Sequence, residues 1–258
     1  MKTKLFIASV AAFCLIFSAC SKKADTAPTP ATKKKYLTKV IRVETSSPSS
    51  GSVVSNHIID YTYDSNKRLS SSKSGTNIST YAYYDNGDLY TITNGSGANR
   101  IVYEFTYAEG KLKSYTLKSY QNNILVSSKL YEYVYDGDKV SEIHFEVYYV
   151  KYTYDSNGNV TRIFNYGSPQ FTTVYEYDNK KNKIVDSRFK YPTVGDIAGD
   201  GYNPNNRTVR TTEGLNQNVK STTIYTYDSD GYPTAGTESA DYAASSTYKF
   251  TFVYSTLD

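Results

Sequence analysis

The 258-residue sequence has no tryptophan, one methionine, two cysteines and two histidines. Two Cys and two His are too few for a Cys/His zinc site or an iron–sulfur cluster. No window places apolar residues at helical spacing behind a capping residue, so helix content should be near zero. Apolar residues make up only 39% of the chain, and mean hydropathy is −0.55. Net charge is +4, with both signs dispersed. That balance lacks the basic patch that nucleic-acid binding requires, and nucleic acid is not expected as a partner. What is abundant is tyrosine: 29 residues, all at or after Tyr36.

Residues 1–20 read MKTKLFIASVAAFCLIFSAC. Lys2 and Lys4 precede an apolar run from Leu5 to Phe17, which is signal-peptide length and too short to span a bilayer. The run ends Phe17-Ser18-Ala19-Cys20. This ending resembles the lipobox of bacterial lipoproteins, in which the Cys is acylated after cleavage, although Phe17 stands where Leu is commonest. The resemblance implies a signal peptide over 1–19 and a lipidated Cys20 that anchors the mature chain to a membrane. Cleavage removes Lys2, Lys4 and Cys14, so the formal charge falls from +4 to +2 and no internal disulfide is possible. Residues 21–35, SKKADTAPTPATKKK, hold no large apolar residue and read as a flexible tether. Some lipoproteins of Gram-negative bacteria carry an acidic run after the Cys that sends them to the cell surface. Ser21-Lys22-Lys23-Ala24-Asp25 lacks it, so the expected address is the outer membrane on its periplasmic side.

The body, 36–258, is a repeat. Its unit is aromatic-x-Tyr-Asp, a short polar turn, then Leu, Val or Ile. Copies fall at Tyr61–Leu69, Tyr81–Leu89, Phe105–Leu112, Tyr133–Val140, Tyr152–Val160, Tyr175–Ile184 and Tyr225–Pro233. Each copy reads as a β-hairpin. The incoming strand alternates, with Tyr131, Tyr133 and Tyr135 on one face and Glu132 and Val134 on the other. The turn aspartates Asp64, Asp85, Asp136, Asp155, Asp178 and Asp228 are expected to close the turns by accepting backbone N–H bonds. In the outgoing strand, apolar residues recur three apart, as in Leu89/Ile92, Leu112/Tyr115, Val140/Ile143 and Val160/Ile163. Residues three apart cannot share a strand face, so a β-bulge, or a turn longer than it looks, is predicted just after each tip. The long interval between Tyr177 and Tyr227 predicts one degenerate or replaced copy. The expected fold is all-β: one antiparallel sheet of about 16 strands, coiled by the bulges into an open or closed barrel-like roll.

Tyr152-Thr-Tyr-Asp-Ser-Asn-Gly-Asn-Val160 resembles the YD repeat of Rhs-type proteins, whose hairpins coil into a β-sheet shell. Over roughly residues 36–258 the chain is similar to a family of Gram-negative bacterial lipoproteins of unknown function, described as porin-like in fold. The resemblance implies a barrel and an envelope address but no activity. The strands do not read as membrane-spanning: Tyr fills strand centres, and the alternate face holds Thr, Ser, Glu and Lys rather than an apolar band.

No residue is predicted to be catalytic or to hold a metal, and no cofactor is expected. His57 and His144 read as solvated surface. Ser70-Ser-Ser-Lys73 matches S-x-x-K, but in a Ser/Lys-rich chain this is a chance match. Asp228-x-Asp230-Gly231 looks like part of a calcium loop, but Ser239 stands where the bidentate Glu belongs. Asp196-x-x-x-Asp200 fails in the same way. The tyrosine stripes have three readings: a packed core, a surface that stacks on a glycan or peptide, or the lining of a cavity. The segment from Tyr191 to Asn218 breaks the repeat and is long for a connection, and either a degenerate hairpin or a binding loop is consistent with it. Within it Tyr202, Asn203, Asn205 and Asn206 are the possible binding residues. These readings favour a non-enzymatic envelope scaffold or a glycan/polymer-binding module, with a glycan or an envelope protein as partner. The alternative is a carbohydrate-active hydrolase whose carboxylates the sequence does not locate.

Overall fold

A computed structural model describes residues 34–46, 53–184, 191–192, 203–214, 218–241 and 246–257, all within a compact unit spanning 33–258. The leader, Cys20, the tether up to residue 33 and Tyr202 lie outside the described residues. Sixteen strands follow one another in order. They are β1 (Tyr36–Ser46), β2 (Val53–Tyr63), β3 (Leu69–Ser74), β4 (Asn77–Tyr83), β5 (Leu89–Asn94), β6 (Arg100–Ala108), β7 (Lys111–Gln121) and β8 (Ile124–Asp136). The second half comprises β9 (Lys139–Phe145), β10 (Tyr148–Tyr154), β11 (Val160–Tyr166), β12 (Phe171–Lys181), β13 (Asn205–Glu213), β14 (Val219–Tyr227), β15 (Pro233–Ala240) and β16 (Ser246–Ser255). Each strand pairs antiparallel with its neighbours in sequence, and β16 returns to β1 from Tyr36↔Ser255 to Ser46↔Ser246. The roll is therefore a closed barrel, which removes every sheet edge. Among the described residues there is no helix.

The predicted bulges are present in all seven copies. The register slips by one residue between Thr62/Tyr63, Ala82/Tyr83, Thr106/Tyr107, Val134/Tyr135, Thr153/Tyr154, Glu176/Tyr177 and Thr226/Tyr227. The slip puts both members of each Leu-x-x-Ile pair on the inner face, where Leu89, Ile92, Leu112, Tyr115, Val140, Ile143 and Val160 are buried. The bulged residue faces outward beside the Thr between the two tyrosines. Where it carries a hydroxyl the two meet, as in Thr62–Ser70 (2.9 Å) and Thr226–Thr234 (3.2 Å).

The bulge also frees a carbonyl, and the tyrosines use it. The second Tyr of a copy donates its O–H to the backbone of the preceding hairpin: Tyr63 to Leu37 (2.7 Å), Tyr83 to Leu69 (2.8 Å), Tyr107 to Leu89 (3.1 Å), Tyr135 to Leu112 (2.7 Å), Tyr154 to Val140 (2.8 Å) and Tyr177 to Val160 (2.7 Å). Tyr227 donates instead to the Asp178 carboxylate. This run of clasps explains tyrosine rather than phenylalanine at that position, because the hydroxyl ties one hairpin to the next. The turn cations cover the same rings: Arg68 over Tyr83, Lys111 over Tyr135 and Lys139 over Tyr154. Removing one clasp strands a half-buried carbonyl, so Tyr135→Phe is expected to cost about 1 kcal/mol in denaturant unfolding. The same change at the outward Tyr166, which is 49% exposed, should stay within about 0.5 kcal/mol. Equal losses at the two sites would contradict the clasp.

At the tips, Asp64, Asp155 and Asp228 act alike. One carboxylate oxygen accepts the backbone N–H two and four residues on, at 2.8–3.0 Å. Burial pushes these carboxyls up in pKa, but the backbone donors, with Arg68, Asn159 or Lys35 alongside, outweigh it and hold all three below the ordinary value. The other three sit differently. Tyr84, one residue before Asp85, takes the position of Asp64, with its backbone N–H on Asp88 and its carbonyl accepting from Gly87. Asp136 ends β8 beside the tight Gly137–Asp138 turn and pairs with Lys139. Asp178 accepts from Lys180 N and Asn206 N inside a longer structure.

The outer wall carries charge at mid-strand. Glu104–Lys118 (2.6 Å), Lys151–Glu142 (3.4 Å) and Lys39–Asp60 (3.3 Å) pair across neighbouring strands. Exposed apolar residues such as Ile58, Leu130, Val134 and Ile224 are scattered among them. Among the described residues the outer wall thus mixes ion pairs with exposed apolar side chains, including the run Ile124-Leu125-Val126.

Candidate binding site in the barrel lumen

The inner face divides into two parts. From β5 to β11 every copy supplies large residues, and the lumen there is filled. Tyr115 stacks on Tyr131 (4.5 Å, 6° between planes) and packs against Phe105 (5.7 Å) and Tyr133 (6.1 Å). On the other side the outgoing strands break the Leu-x-x-Ile rule. Ser72 and Ser74 in β3, Arg207 and Arg210 in β13, and Gly236 in β15 occupy the inward positions. Tyr225 lies over Gly236, so a Cβ there would meet its ring at 3.2 Å. Small inward residues leave a void, and a cavity of about 490 Å³ results. A volume of this size lies in the range of small-molecule sites.

The cavity is amphipathic. Val40, Ile59, Tyr61, Tyr225, Phe250 and Phe252 form an apolar wall, with Leu37 and Tyr254 packed behind it. Arg42, Lys183, Arg207, Glu238, His57, Ser74 and Tyr248 supply the polar groups. Arg207 Nη2 lies 3.9 Å from Glu238 Oε2, which also accepts from Thr223 (3.3 Å). Arg42 lies over the Tyr248 ring (5.4 Å) and 3.6 Å from Glu44, and its Nε is buried with no acceptor. Burial, and then the neighbouring Tyr81 and Tyr63, push the Tyr61 phenol well up, so it stays a neutral donor.

The floor comes from the connection between β12 and β13, which corrects two sequence expectations. No copy is missing between Tyr177 and Tyr227; the long interval is one hairpin with a long connection at its tip. Nor does Asp178-Asn-Lys-Lys-Asn-Lys-Ile184 form a tight turn, since β12 runs on to Lys181 and pairs with Asn205. The connection's two roots are tied together by side-chain amides. Asn203 Oδ1 accepts from Val160 N (2.8 Å). Asn205 exchanges bonds with Asn159 (2.9 and 3.0 Å) and donates to Lys180 O (2.8 Å). Asn206 donates to Lys181 O (2.6 Å) and accepts from Lys183 N (3.1 Å). Asn203 and Asn206 are 1% and 2% exposed, so their amides serve the backbone. Thus anchored, Lys183 lines the cavity and Ile184 packs against Phe252 and its neighbours. Further along, Tyr191 sits edge-on between Tyr107 and Tyr133, whose O–H donates to Pro192 O (2.9 Å). The connection thus meets both sides of the barrel at its turn end, and the cavity opens toward the opposite rim, where His57 is exposed.

The other candidates fall elsewhere. His144 points outward, bonded to Glu142 (2.7 Å) and stacked on Tyr149, which stacks on Tyr166 (4.8 Å). Ser70 is engaged by Thr62, and Lys73 is exposed. The Asp228/Asp230 pair is filled by Lys35, whose Nζ reaches both carboxylates (2.8 and 2.6 Å). Among the described residues no three metal-ligating side chains come together.

A closed barrel with a filled half and an amphipathic lumen cavity is the class this geometry defines. No family profile and no curated protein matches the sequence. Among solved structures, the chain is similar to a porin-like protein from Bacteroides uniformis, with 15% identity, a TM-score of 0.54, and coverage of 88% of this chain and 100% of that one. At that identity the likeness is one of fold. Two TcdB2-TccC3 structures, one with Cdc42, align over 77% of this chain and 10% of theirs, with TM-scores of 0.21 and 0.20.

Proposed function

We propose that this chain is a non-enzymatic lipoprotein of the bacterial envelope whose barrel is a binding module, with the ligand held in the lumen rather than on the outer wall. The observation that carries this reading is the amphipathic cavity of about 490 Å³ left where small inward residues replace the repeat's apolar ones. A structural scaffold alone would have no reason to leave that half unfilled. The hydrolase reading needs two cooperating carboxylates. The two carboxylates at the cavity, Glu238 and Glu44, are each paired with an arginine, Arg207 and Arg42.

The anchor belongs to the same proposal. β1 begins at the turn end, where Lys35 grips Asp228 and Asp230. Cys20→Ser is expected to move the protein from the membrane fraction to the soluble one; continued membrane association would contradict the anchor. The same full-length variant serves for the functional test, a glycan and envelope-metabolite array paired with a turnover assay. Binding without product supports the module. Product formation that disappears on a single Asp or Glu substitution would replace it with the hydrolase.

A further inference from the structure

We infer that the lumen site takes a small organic anion: an acidic head group on Arg42 and Lys183, and a flat apolar body against Tyr225, Phe250 and Phe252. This deepens the binding-module reading and rests on it. The described wall carries three cationic side chains, Arg42, Lys183 and Arg207, and one carboxylate, Glu238. Glu238 is matched by Arg207 and Glu44, beside the cavity, by Arg42, which leaves Lys183 as local excess positive charge in a partly enclosed space. Arg42's carboxylate neighbour, Glu44, stands 3.6 Å from Nη2, and the Nε–H is buried without an acceptor. A buried donor without an acceptor is costly, and an incoming oxyanion supplies what it lacks. Beside Arg42 the wall turns apolar. Phe250 pairs directly with Arg42 across the β1–β16 seam, Phe252 pairs with Val40, and the two phenylalanine rings lie nearly parallel (6.2 Å, 9°). Head-group and body contacts thus sit side by side on the same two strands. A neutral ligand would leave the Lys183 charge unmatched, and a cation would meet like charge.

The test uses two fluorescent probes that share an anilinonaphthalene body: the anionic 8-anilinonaphthalene-1-sulfonate and the neutral N-phenyl-1-naphthylamine. The full chain carrying Cys20→Ser is titrated with each. The expected result is saturable binding of both, with the anion tighter by about tenfold or more. In the Arg42→Gln/Lys183→Gln variant that preference should vanish while the neutral probe binds as before; Arg42→Lys should retain most of it. Ser74→Phe, which puts a large ring into the cavity from β3, should abolish both. Circular dichroism of each variant confirms that the barrel is intact. If the neutral probe binds as tightly as the anion, the charge inference is wrong and the lumen reading stands. If neither binds, the lumen reading itself fails. A preference that survives Arg42→Gln/Lys183→Gln places the anion elsewhere and overturns the inference.

Discussion

Phe105→Ala is expected to remove about 3–5 kcal/mol of unfolding free energy, the usual cost of deleting a fully buried aromatic ring. Phe105 is 0% exposed and packs on Tyr115, which is itself 0% exposed and in ring contact with Tyr103, Tyr131 and Tyr133. The cost should be high within that range because the site cannot collapse. Its neighbours are themselves rings held by the bulged strands, so the void persists. Domains of ordinary stability have about 5–15 kcal/mol in total, so one substitution consumes a large share. Phe164→Ala, on the outer wall beside Tyr166, is the matched control and should cost far less. Denaturant melts of the two variants at equal slope decide the point. A loss below about 1 kcal/mol at Phe105 would mean that the filled half of the lumen is not the structural core.

Most of the architecture was legible in the sequence because the repeat is written twice, once in the tyrosines and once in the spacing after them. The period-two alternation around Tyr131, Tyr133 and Tyr135 assigned the inner face correctly. The three-residue spacing of Leu89/Ile92 and its counterparts required a bulge, and the register shifts lie where that spacing put them. The seven tips account for fourteen strands, β2 to β15; β1 and β16, which close the barrel, carry no copy of the motif. The turn aspartates were legible only in part. Tyr84 displaces Asp85 from the capping position because that copy carries one extra tyrosine before its aspartate, and a motif match cannot tell which residue takes the turn.

The lumen cavity was also written in the sequence, but as failures of a pattern rather than matches to it. The four copies that keep Leu-x-x-Ile define the filled half. Leu69-x-x-Ser72 and Pro233-x-x-Gly236 depart from it and define the empty half. The long connection was harder to read. Its asparagines look like turn formers, and turn chemistry and backbone anchoring use the same residue type. Only three-dimensional placement shows that Asn203, Asn205 and Asn206 hold the roots of the connection, setting Lys183 and Ile184 at the floor of the site. The hydroxyl clasps were likewise hidden, because a strand pattern distinguishes Tyr from Lys but not Tyr from Phe.

Alkaline titration tests the central claim, that the tyrosines are the interior of a closed barrel. Burial, reinforced by neighbouring phenols and in places by a turn aspartate, raises the phenol pKa of Tyr61, Tyr83, Tyr107, Tyr133, Tyr135 and Tyr154. In the unfolded chain they ionise near the ordinary value of about 10. A group whose pKa is raised on folding contributes stability that is complete below the unfolded pKa and is lost as pH rises through the folded one. Each pKa unit of separation is worth about 1.4 kcal/mol per group, and several groups act together. Tyrosine ionisation should therefore leave the fold untouched up to about pH 10 and then make it fail cooperatively over a narrow interval. Phenolate absorbance and the β circular-dichroism signal, followed together through the rise in pH, give the answer. The account predicts a steep second wave of tyrosine ionisation coincident with loss of the β signal. A single gradual wave centred near pH 10, with the β signal intact throughout, would place the tyrosines in solvent and contradict it.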